Sequence, residues 1–585
     1  MASSGNFPVW TDLVKGATNI TKGGTRFDGS TNSRSAVIPF QVPTGTKFYI
    51  ECLVTHATNY NIIFGLVNPY QDIATYIESQ STVNGILFRG NNSSSWDTCS
   101  LTNGSRGSFG SNVGQTADRV LAMTVNRVDN EIKMYLDNSL KHTISISATE
   151  DYTVFASFTG GTASGVHMNI NCGHDSTGGG TFSAASNTDE NGFGEFQYSP
   201  PSGFLAICSP NLPTATSIDP SETDDNHPTK NFNALIYSGD GTSSNAITGL
   251  GLQPDLVWIK ERGGTNLYSH SMHDSLRGRD KVIFAEDTRE EDVSTSTQDL
   301  VSFDSDGFTV GSSTEAKMNG TGSSFISWNW RCNAGTDGTN TSGTITSTVQ
   351  ANQDLGFSIV SWTGTGTAST IGHGLSAAPD CIWIKNRTDN VGSDGDASGR
   401  NWAVYHSVLG NTKYLSLNTT SNASTSTNWW NNTSPTSSVF TVGTDNSVNE
   451  SSHAMIAYCW HNIEGFQKFG SYTGNGNSNG PMVYCGFRPR LLMIKMSNGS
   501  YSEHWNMWDS ADDGDRLSTT GRAHNQLDEF HRITEATEAT STSLDIDFLA
   551  NGFKVRGSNT EMNENGKVLV YFAWADVPFK YSNAF

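Results

Sequence analysis

A strand entrance recurs three times in this chain. The stretches "GLGLQPDLVWIK", "GHGLSAAPDCIWIK" and "GFRPRLLMIK" each carry a Pro shortly before an apolar, strand-like run that ends in a Lys. In every copy a Gly precedes the Pro by fifteen residues and the Lys by twenty-one: Gly239, Pro254 and Lys260; Gly364, Pro379 and Lys385; Gly474, Pro489 and Lys495. Fixed spacing of this kind indicates an internal repeat.

Further shared segments follow each Lys in the same order. They are "HSMHDS", "WAVYHS" and "WNMWDS", then "GFTVG", "VFTVG" and "GFKVRG", and each copy closes on a Trp, at Trp330, Trp460 and Trp574. We therefore predict three related β domains over 231–332, 351–462 and 463–585. Residues 333–350 are interpreted as a linker, and the second and third domains, which abut, are expected to pack together while the first is freer.

The part of the chain before the repeats has a different pattern. Short runs that alternate apolar and polar residues fill 1–208 and predict a β-sandwich. These runs cover 47–54, 61–67, 85–90, 119–127, 131–138, 152–158 and 166–173. Residues 209–230 are rich in Pro, Asp, Ser and Thr and are interpreted as a linker.

Composition supports an all-β fold and excludes some functions. Apolar residues make up only 35% of the chain, and long helical periods are nearly absent. The net charge of −22 disfavours nucleic acid as a partner. The N-terminus has no secretory pattern, and no apolar run reaches the roughly 18 residues of a membrane span. None of the eight Cys forms a CxxC pair, so we expect buried free thiols and folding in a reducing cytosol.

Two regions resemble a known family. The stretch "NINCGHDSTGGGTFSAASNTDENGFGEFQYSPPSGFLAICSPNLP" (169–213) resembles the closing segment of SPRY-type, concanavalin-like sandwiches in bacteriophage virion proteins, except that Cys172 replaces the usual Phe. "ADRVLAMTVNRVDNEIKMYLDN" (117–138) is similar to the SPRY core hairpin, with a turn at 128–130. The repeats are similar to tandem domains that follow such a sandwich in marine, particularly cyanobacterial, phage structural proteins.

The resemblance implies a virion component that assembles in the host cytoplasm. It implies a tail fibre or other receptor-binding appendage, and the family carries no agreed catalytic residues. On this basis we expect a non-enzymatic protein that forms a homotrimer. Its expected partners are other tail or capsid proteins and a host surface glycan or protein receptor.

The Ser/Thr/Asn-rich segment 418–438 supplies the candidate receptor site. Trp429 and Trp430 lie in a polar stretch without apolar neighbours, so we expect exposed rings that could stack on sugars. Asn431 and Asn432 would add hydrogen bonds. The alternatives are that these rings fold back onto their own domain or pack against a partner subunit.

No required cofactor is indicated, although one acidic cluster could hold Ca²⁺. Asp512, Asp513 and Asp515 in "WDSADDGDR" offer oxygen ligands, but the spacing is not that of an EF-hand, and turn chemistry is the alternative. Asp394 and Asp396 form a similar candidate in the second repeat. His270 and His273 are interpreted as packing residues, because aromatic residues take their places in the other copies.

Three functions stay open at this point. The first is attachment of the virion to its host. The second is an architectural or decorating role on the capsid or neck. The third is a polysaccharide-degrading spike, which the absence of a β-helix pattern disfavours.

Overall fold

The structure is a computed structural model that carries side chains. It describes residues 7–8, 10, 20–21, 25–28, 34–55, 61–69, 83–90, 96–107, 118–159, 167–219, 227–262, 269–294, 297–312, 318–332, 335–388, 399–511, 526–527, 529–534, 538–540 and 544–578.

The chain forms two compact units. The N-terminal unit contains the chain up to Pro213 together with Pro481–Tyr484, and the second unit contains Thr214–Gly480 and most of the chain from Cys485 onward. Apart from Pro481–Tyr484, the three repeats lie in one compact unit.

The part of the N-terminal unit up to Pro213 contains fourteen described strands. They are β1 Ile20–Thr21, β2 Arg26–Asp28, β3 Arg34–Gln41, β4 Lys47–Val54, β5 Asn61–Val67, β6 Asn84–Gly90, β7 Trp96–Thr102, β8 Ser105–Arg106, β9 Arg119–Asn126, β10 Glu131–Leu136, β11 Ser139–Ser145, β12 Thr153–Thr159, β13 His167–Asn171 and β14 Leu205–Ala206. All seven predicted strands of this region are present. β10 alternates buried and half-buried residues, whereas β4 and β9 are buried along nearly their whole length.

These strands form two sheets. One has the order β1-β2-β13-β4-β9-β10-β11 with β14 added in parallel to β4, and the other has the order β3-β12-β5-β6-β7-β8. Side chains of the two sheets meet, as Phe27 of β2 does with Phe158 of β12 at a ring distance of 4.9 Å. Asn130, Asp137 and Asn138 take positive φ angles at the hairpin turns, as the sequence predicted. The predicted β-sandwich is confirmed.

A buried carboxylate holds the closing segment of this sandwich in place. Oε1 of Glu51 accepts hydrogen bonds from the Tyr49 hydroxyl (3.0 Å) and the Tyr198 amide (2.9 Å). Its Oε2 accepts from Asn171 Nδ2 (3.1 Å) and the Gln197 amide (2.8 Å). Burial raises the pKa of Glu51 to about 7, and the four hydrogen bonds act against that rise.

Each repeat contributes its own strands and short helices. The first has β15 Phe232–Ser238, β16 Asn245–Thr248, β17 Leu256–Arg262, β18 Ser271–Asp274, β19 Lys281–Phe284, β20 Asp292–Val293, β21 Leu300–Asp304, β22 Gly307–Val310 and β23 Ser324–Trp330. The second has β24 Gly338–Asn340, β25 Ser347–Asn352, β26 Phe357–Thr363, β27 Ser369–Gly372, β28 Cys381–Asn386, β29 Ala403–His406, β30 Lys413–Tyr414, β31 Ser424–Thr425, α1 Thr427–Trp430, β32 Val439–Val442, α2 Asn446–Asn449 and β33 Ala454–Trp460. The third has β34 Gln467–Thr473, β35 Met482–Tyr484, β36 Phe487–Met496, β37 Trp505–Asp509, β38 Gln526–Leu527, β39 Glu529–Arg532, β40 Glu538–Thr540, β41 Ile546–Leu549, β42 Gly552–Val555, α3 Thr560–Asn563 and β43 Val568–Pro578.

The Lys strands, the "HSMHDS"-type segments and the closing Trp strands occupy the same four-stranded core in each repeat, whereas the "GFTVG"-type segments form β22, β32 and β42 in separate sheets. The strand orders are β15-β23-β17-β18, β26-β33-β28-β29 and β34-β43-β36-β37. In each, the strand that contains the repeated Lys pairs with the strand that carries the closing Trp. The internal duplication read from the sequence is thus a duplication of sheet topology.

Both predicted linkers are structured where they are described. Residues 338–340 and 347–352 form β24 and β25, which extend the main sheet of the second repeat. The 209–230 segment contains short 3₁₀ turns at Ser209–Asn211, Thr216–Ile218 and Pro228–Lys230. Ile218 is fully buried, and the Ala215 amide donates to the Glu464 carbonyl at 3.2 Å. Turn-forming composition thus does not prevent a segment from pairing with a sheet edge or burying one apolar side chain.

Candidate binding surface

The three repeats close into a ring whose centre is aromatic. Trp330, Trp460 and Trp574 contact one another, with ring distances of 6.2 Å (Trp330 to Trp460), 5.3 Å (Trp330 to Trp574) and 5.9 Å (Trp460 to Trp574). All three are buried. Every repeat therefore contacts both others, and the expectation that the first repeat is freer was wrong.

The same bond joins successive repeats around the ring. Trp402 Nε1 donates to the Phe284 carbonyl at 2.9 Å, and Trp505 Nε1 donates to the Ser416 carbonyl at 2.9 Å. His270, at the corresponding position of the first repeat, donates from Nε2 to the Arg532 carbonyl at 3.3 Å. The second repeat thus bonds to the first, the third to the second and the first to the third. This confirms that His270 is a packing residue.

The repeated Lys also joins neighbouring repeats. Lys385 Nζ donates to the Thr288 carbonyl of the first repeat at 2.9 Å and to its own repeat's Arg400 carbonyl at 2.7 Å. Lys495 Nζ repeats this with the Thr420 carbonyl of the second repeat, at 2.7 Å, and the Glu503 carbonyl. Both lysines are fully buried, and burial lowers the pKa of Lys495 to about 7. Lys385 and Lys495 are structural clamps between repeats.

Trp429 and Trp430 are not exposed. They lie on α1, where they are 6% and 1% exposed and belong to the core of the second repeat. Trp429 stacks on Tyr414 at a ring distance of 3.6 Å, and Trp430 Nε1 donates to the Lys413 carbonyl at 2.9 Å. The expected exposure was wrong, because the polar residues around this pair form a helical turn that points both rings inward. The alternative in which the rings fold back onto their own domain is the one observed.

The remaining predicted site residues have mixed outcomes. Asn431 and Asn432 are exposed, and both adopt the left-handed backbone conformation that ends α1. Asp512, Asp513 and Asp515 lie outside the described residues, as do Asp394 and Asp396. Among the residues that are described, no group of three or more His, Cys, Asp and Glu could hold a metal ion.

A second loop carries an exposed aromatic ring, which the buried pair Trp429 and Trp430 does not provide. We call residues 497–504, which join β36 to β37, the platform loop. Its backbone is fixed against the second repeat, because Asn422 Nδ2 donates to the Gly499 carbonyl (2.9 Å) and the Ala423 amide donates to the Ser497 carbonyl (2.9 Å). The amide and hydroxyl of Ser500 both donate to the Glu564 carboxylate, the amide at 2.9 Å.

Tyr501 stands at the exposed tip of the platform loop. Its side chain is 65% exposed, the highest value among the exposed large hydrophobic residues of the described chain. The others are Val128, Leu140, Val293 and Val408, so Tyr501 is the aromatic member of that set. Its neighbours Ser500 and Ser502 are exposed and polar. Sequence reasoning missed Tyr501, although "SNGSYSEH" carries the same signal, an aromatic residue among small polar residues, that drew attention to Trp429 and Trp430.

The fold and this surface define an all-β protein in which a ring of three repeats carries divergent loops. A family model described as "Domain of unknown function (DUF7483)" matches residues 227–578. The chain belongs to this family, and the matched region begins at the 3₁₀ turn before β15 and ends with β43. A sequence search of curated proteins finds no match.

Solved structures similar to the chain cover about a quarter of its length. The TRIM65 PSpry domain is 9% identical and covers 28% of this chain and 92% of that chain, with a TM-score of 0.22. Carbohydrate binding module CBM66 from Bacillus subtilis is 14% identical and covers 28% and 93%, with a TM-score of 0.19. The SPRY domain of human HERC1 is 12% identical and covers 26% and 89%, with a TM-score of 0.21. The sandwich assignment rests on the two sheets described above and not on these scores.

Two further sequence predictions concern cysteines and membranes. All eight Cys are buried free thiols, as predicted. Among the described residues, none of the helices has the length and apolar character that crossing a bilayer requires.

Proposed function

We propose that this chain is a non-enzymatic structural protein of a bacteriophage virion that attaches the particle to its host surface, as part of a tail fibre or a similar appendage. The observation that carries the proposal is the ring: a buried, hydrogen-bonded frame that repeats three times and holds loops of different sequence. Rigid frames that carry divergent loops are the usual design of recognition proteins.

Two sequence observations support the virion setting. Residues 169–213 resemble the closing segment of sandwiches from phage virion proteins. Eight reduced, buried thiols suit assembly in the host cytoplasm followed by release with the particle, without passage through an oxidising compartment.

Attachment by many weak contacts favours repetition. Linked binding surfaces gain avidity because the second contact forms at a high effective concentration. The ring supplies three loop sets within one chain, and the proposed homotrimer would multiply them again. Sedimentation of the purified chain tests that oligomer, and a monomer at micromolar concentration would contradict it.

The experiment that tests the attachment role is electron microscopy of intact particles labelled with an antibody to residues 351–585. We expect label at distal tail appendages. Label over the capsid shell would overturn the attachment role in favour of decoration or scaffold. Release of reducing sugars from host surface polysaccharide by the purified chain would overturn the non-enzymatic assignment.

A further inference from the structure

We propose that the platform loop is a carbohydrate subsite, in which the exposed ring of Tyr501 stacks on the face of a neutral or N-acetylated pyranose. This inference rests on the proposed attachment function and names the ligand class for one surface of the ring.

The exposure of Tyr501 follows from the fixed backbone of the platform loop. A mobile loop would expose an aromatic ring part of the time without selection for contact. The platform loop is fixed at Ser497, Gly499 and Ser500 by hydrogen bonds to the second repeat and to Glu564. The Asn498 side chain adds another, since its Oδ1 accepts from the Val568 amide at 2.7 Å. A ring held ready in this way loses little conformational entropy when it binds.

The surroundings of Tyr501 suit a sugar better than a protein as the ligand. A protein interface buries on the order of 1,000 Å² or more and has an apolar centre. The exposed residues beside Tyr501, Asn498, Ser500 and Ser502, are all polar. One aromatic face among hydroxyl and amide groups matches the alternation of C–H faces and hydroxyl edges on a pyranose.

The charge beside the platform loop selects among sugars. Two carboxylates lie beside the exposed tip: Glu503 is two residues from Tyr501, and Glu564 bonds to Ser500. Lys567 near Glu564 offsets part of this negative charge. The chain as a whole carries a net charge of −22. Carboxylate oxygens accept hydrogen bonds from sugar hydroxyls but repel uronic and sialic acids. The subsite therefore favours neutral or N-acetylated rings.

The test is saturation-transfer NMR on the full chain with three probes: methyl β-glucopyranoside, methyl N-acetyl-β-glucosaminide and methyl β-glucuronide. We expect saturation of the C–H face of at least one uncharged probe and none of the glucuronide. Tyr501→Ala should weaken the binding of the uncharged probe by about tenfold or more, while Tyr501→Phe retains binding. Val293→Ala changes a residue of similar exposure in the first repeat and should have no effect.

Three results of this experiment would overturn the proposed subsite. Unchanged binding by Tyr501→Ala, binding of the glucuronide as strong as that of the uncharged probes, or no binding of either uncharged probe overturns the subsite. Because Tyr501 is exposed, the thermal unfolding of Tyr501→Ala should equal that of the wild type, which excludes misfolding as the cause of a loss. Capsid label in the microscopy experiment would overturn the attachment role while leaving sugar binding by Tyr501 standing.

Discussion

The carboxyl group of Glu51 shows how a single residue holds a long segment of chain. It lies in the N-terminal unit without solvent exposure and accepts four hydrogen bonds, two of them from the backbone of residues 197 and 198. Those two bonds tie residues 197 and 198 of the closing segment to β4. A buried carboxyl group of this kind makes folding depend on pH.

We predict that Glu51 lowers the stability of the N-terminal unit as the pH rises. Its folded pKa of about 7 exceeds the value of roughly 4.3 for an unfolded chain. The folded state therefore holds the proton more tightly, and the stabilisation is complete below about pH 4.3 and is lost as the pH rises to 7, by about 3 kcal/mol. The measurement is the free energy of unfolding of the wild type and of Glu51→Gln between pH 4 and 8. A difference between the two proteins that does not vary with pH would contradict this.

Trp430 is predicted to be a stability residue. Removing a fully buried Trp ring leaves a cavity and should cost about 3–5 kcal/mol. Trp430→Ala should therefore lower the urea midpoint of the second unit strongly. Tyr501→Ala, which removes an exposed aromatic ring, is the matched control and should leave that midpoint unchanged. Equal midpoints for the two variants would show that Trp430 does not pack as described.

At the scale of elements, lysines within two core strands join neighbouring repeats. β28 and β36 each contain a buried Lys that reaches carbonyl groups of the preceding repeat. Loops leave backbone carbonyls without sheet partners, and a buried ammonium or amine satisfies several of them at once. This gives a physical reason for Lys385 and Lys495.

We predict that Lys495→Met destabilises the contact between the second and third repeats. Met keeps the apolar volume of the side chain but leaves the carbonyls of Thr420 and Glu503 without this donor, which should cost about 2–4 kcal/mol. Lys413→Met is the control, because Lys413 is exposed on β30. The measurement is the urea midpoint of each variant, and similar midpoints would contradict the clamp.

At the scale of the whole molecule, the three repeats form one cooperative body around the Trp centre. The closing Trp side chains belong to three different copies, yet each packs against both others. Each repeat therefore buries its closing Trp partly against the other two repeats. The repeats should therefore fold and unfold together, unlike a linear array in which each repeat contacts only its neighbours.

Trp460→Ala tests this cooperativity. We expect hydrogen exchange to accelerate in the core strands of all three repeats, including β23 and β43, because the cavity lies at their common centre. Val408→Ala, an exposed change within the second repeat, is the control. Faster exchange confined to the second repeat would indicate that the copies are energetically independent.

The sequence by itself determined the local structure of this protein. Alternation of apolar and polar residues predicted the strands of the N-terminal unit, and fixed spacings predicted three copies of one sheet, because strand formation depends on patterns within a few residues. It could not tell Trp429 and Trp430 from Tyr501, since all three are aromatic residues among small polar ones. Only the tertiary structure decided that α1 turns the first two into a core and that the platform loop leaves the third in solvent. The sequence likewise could not show that the three repeats close into a ring, because ring closure depends on contacts between residues more than a hundred positions apart.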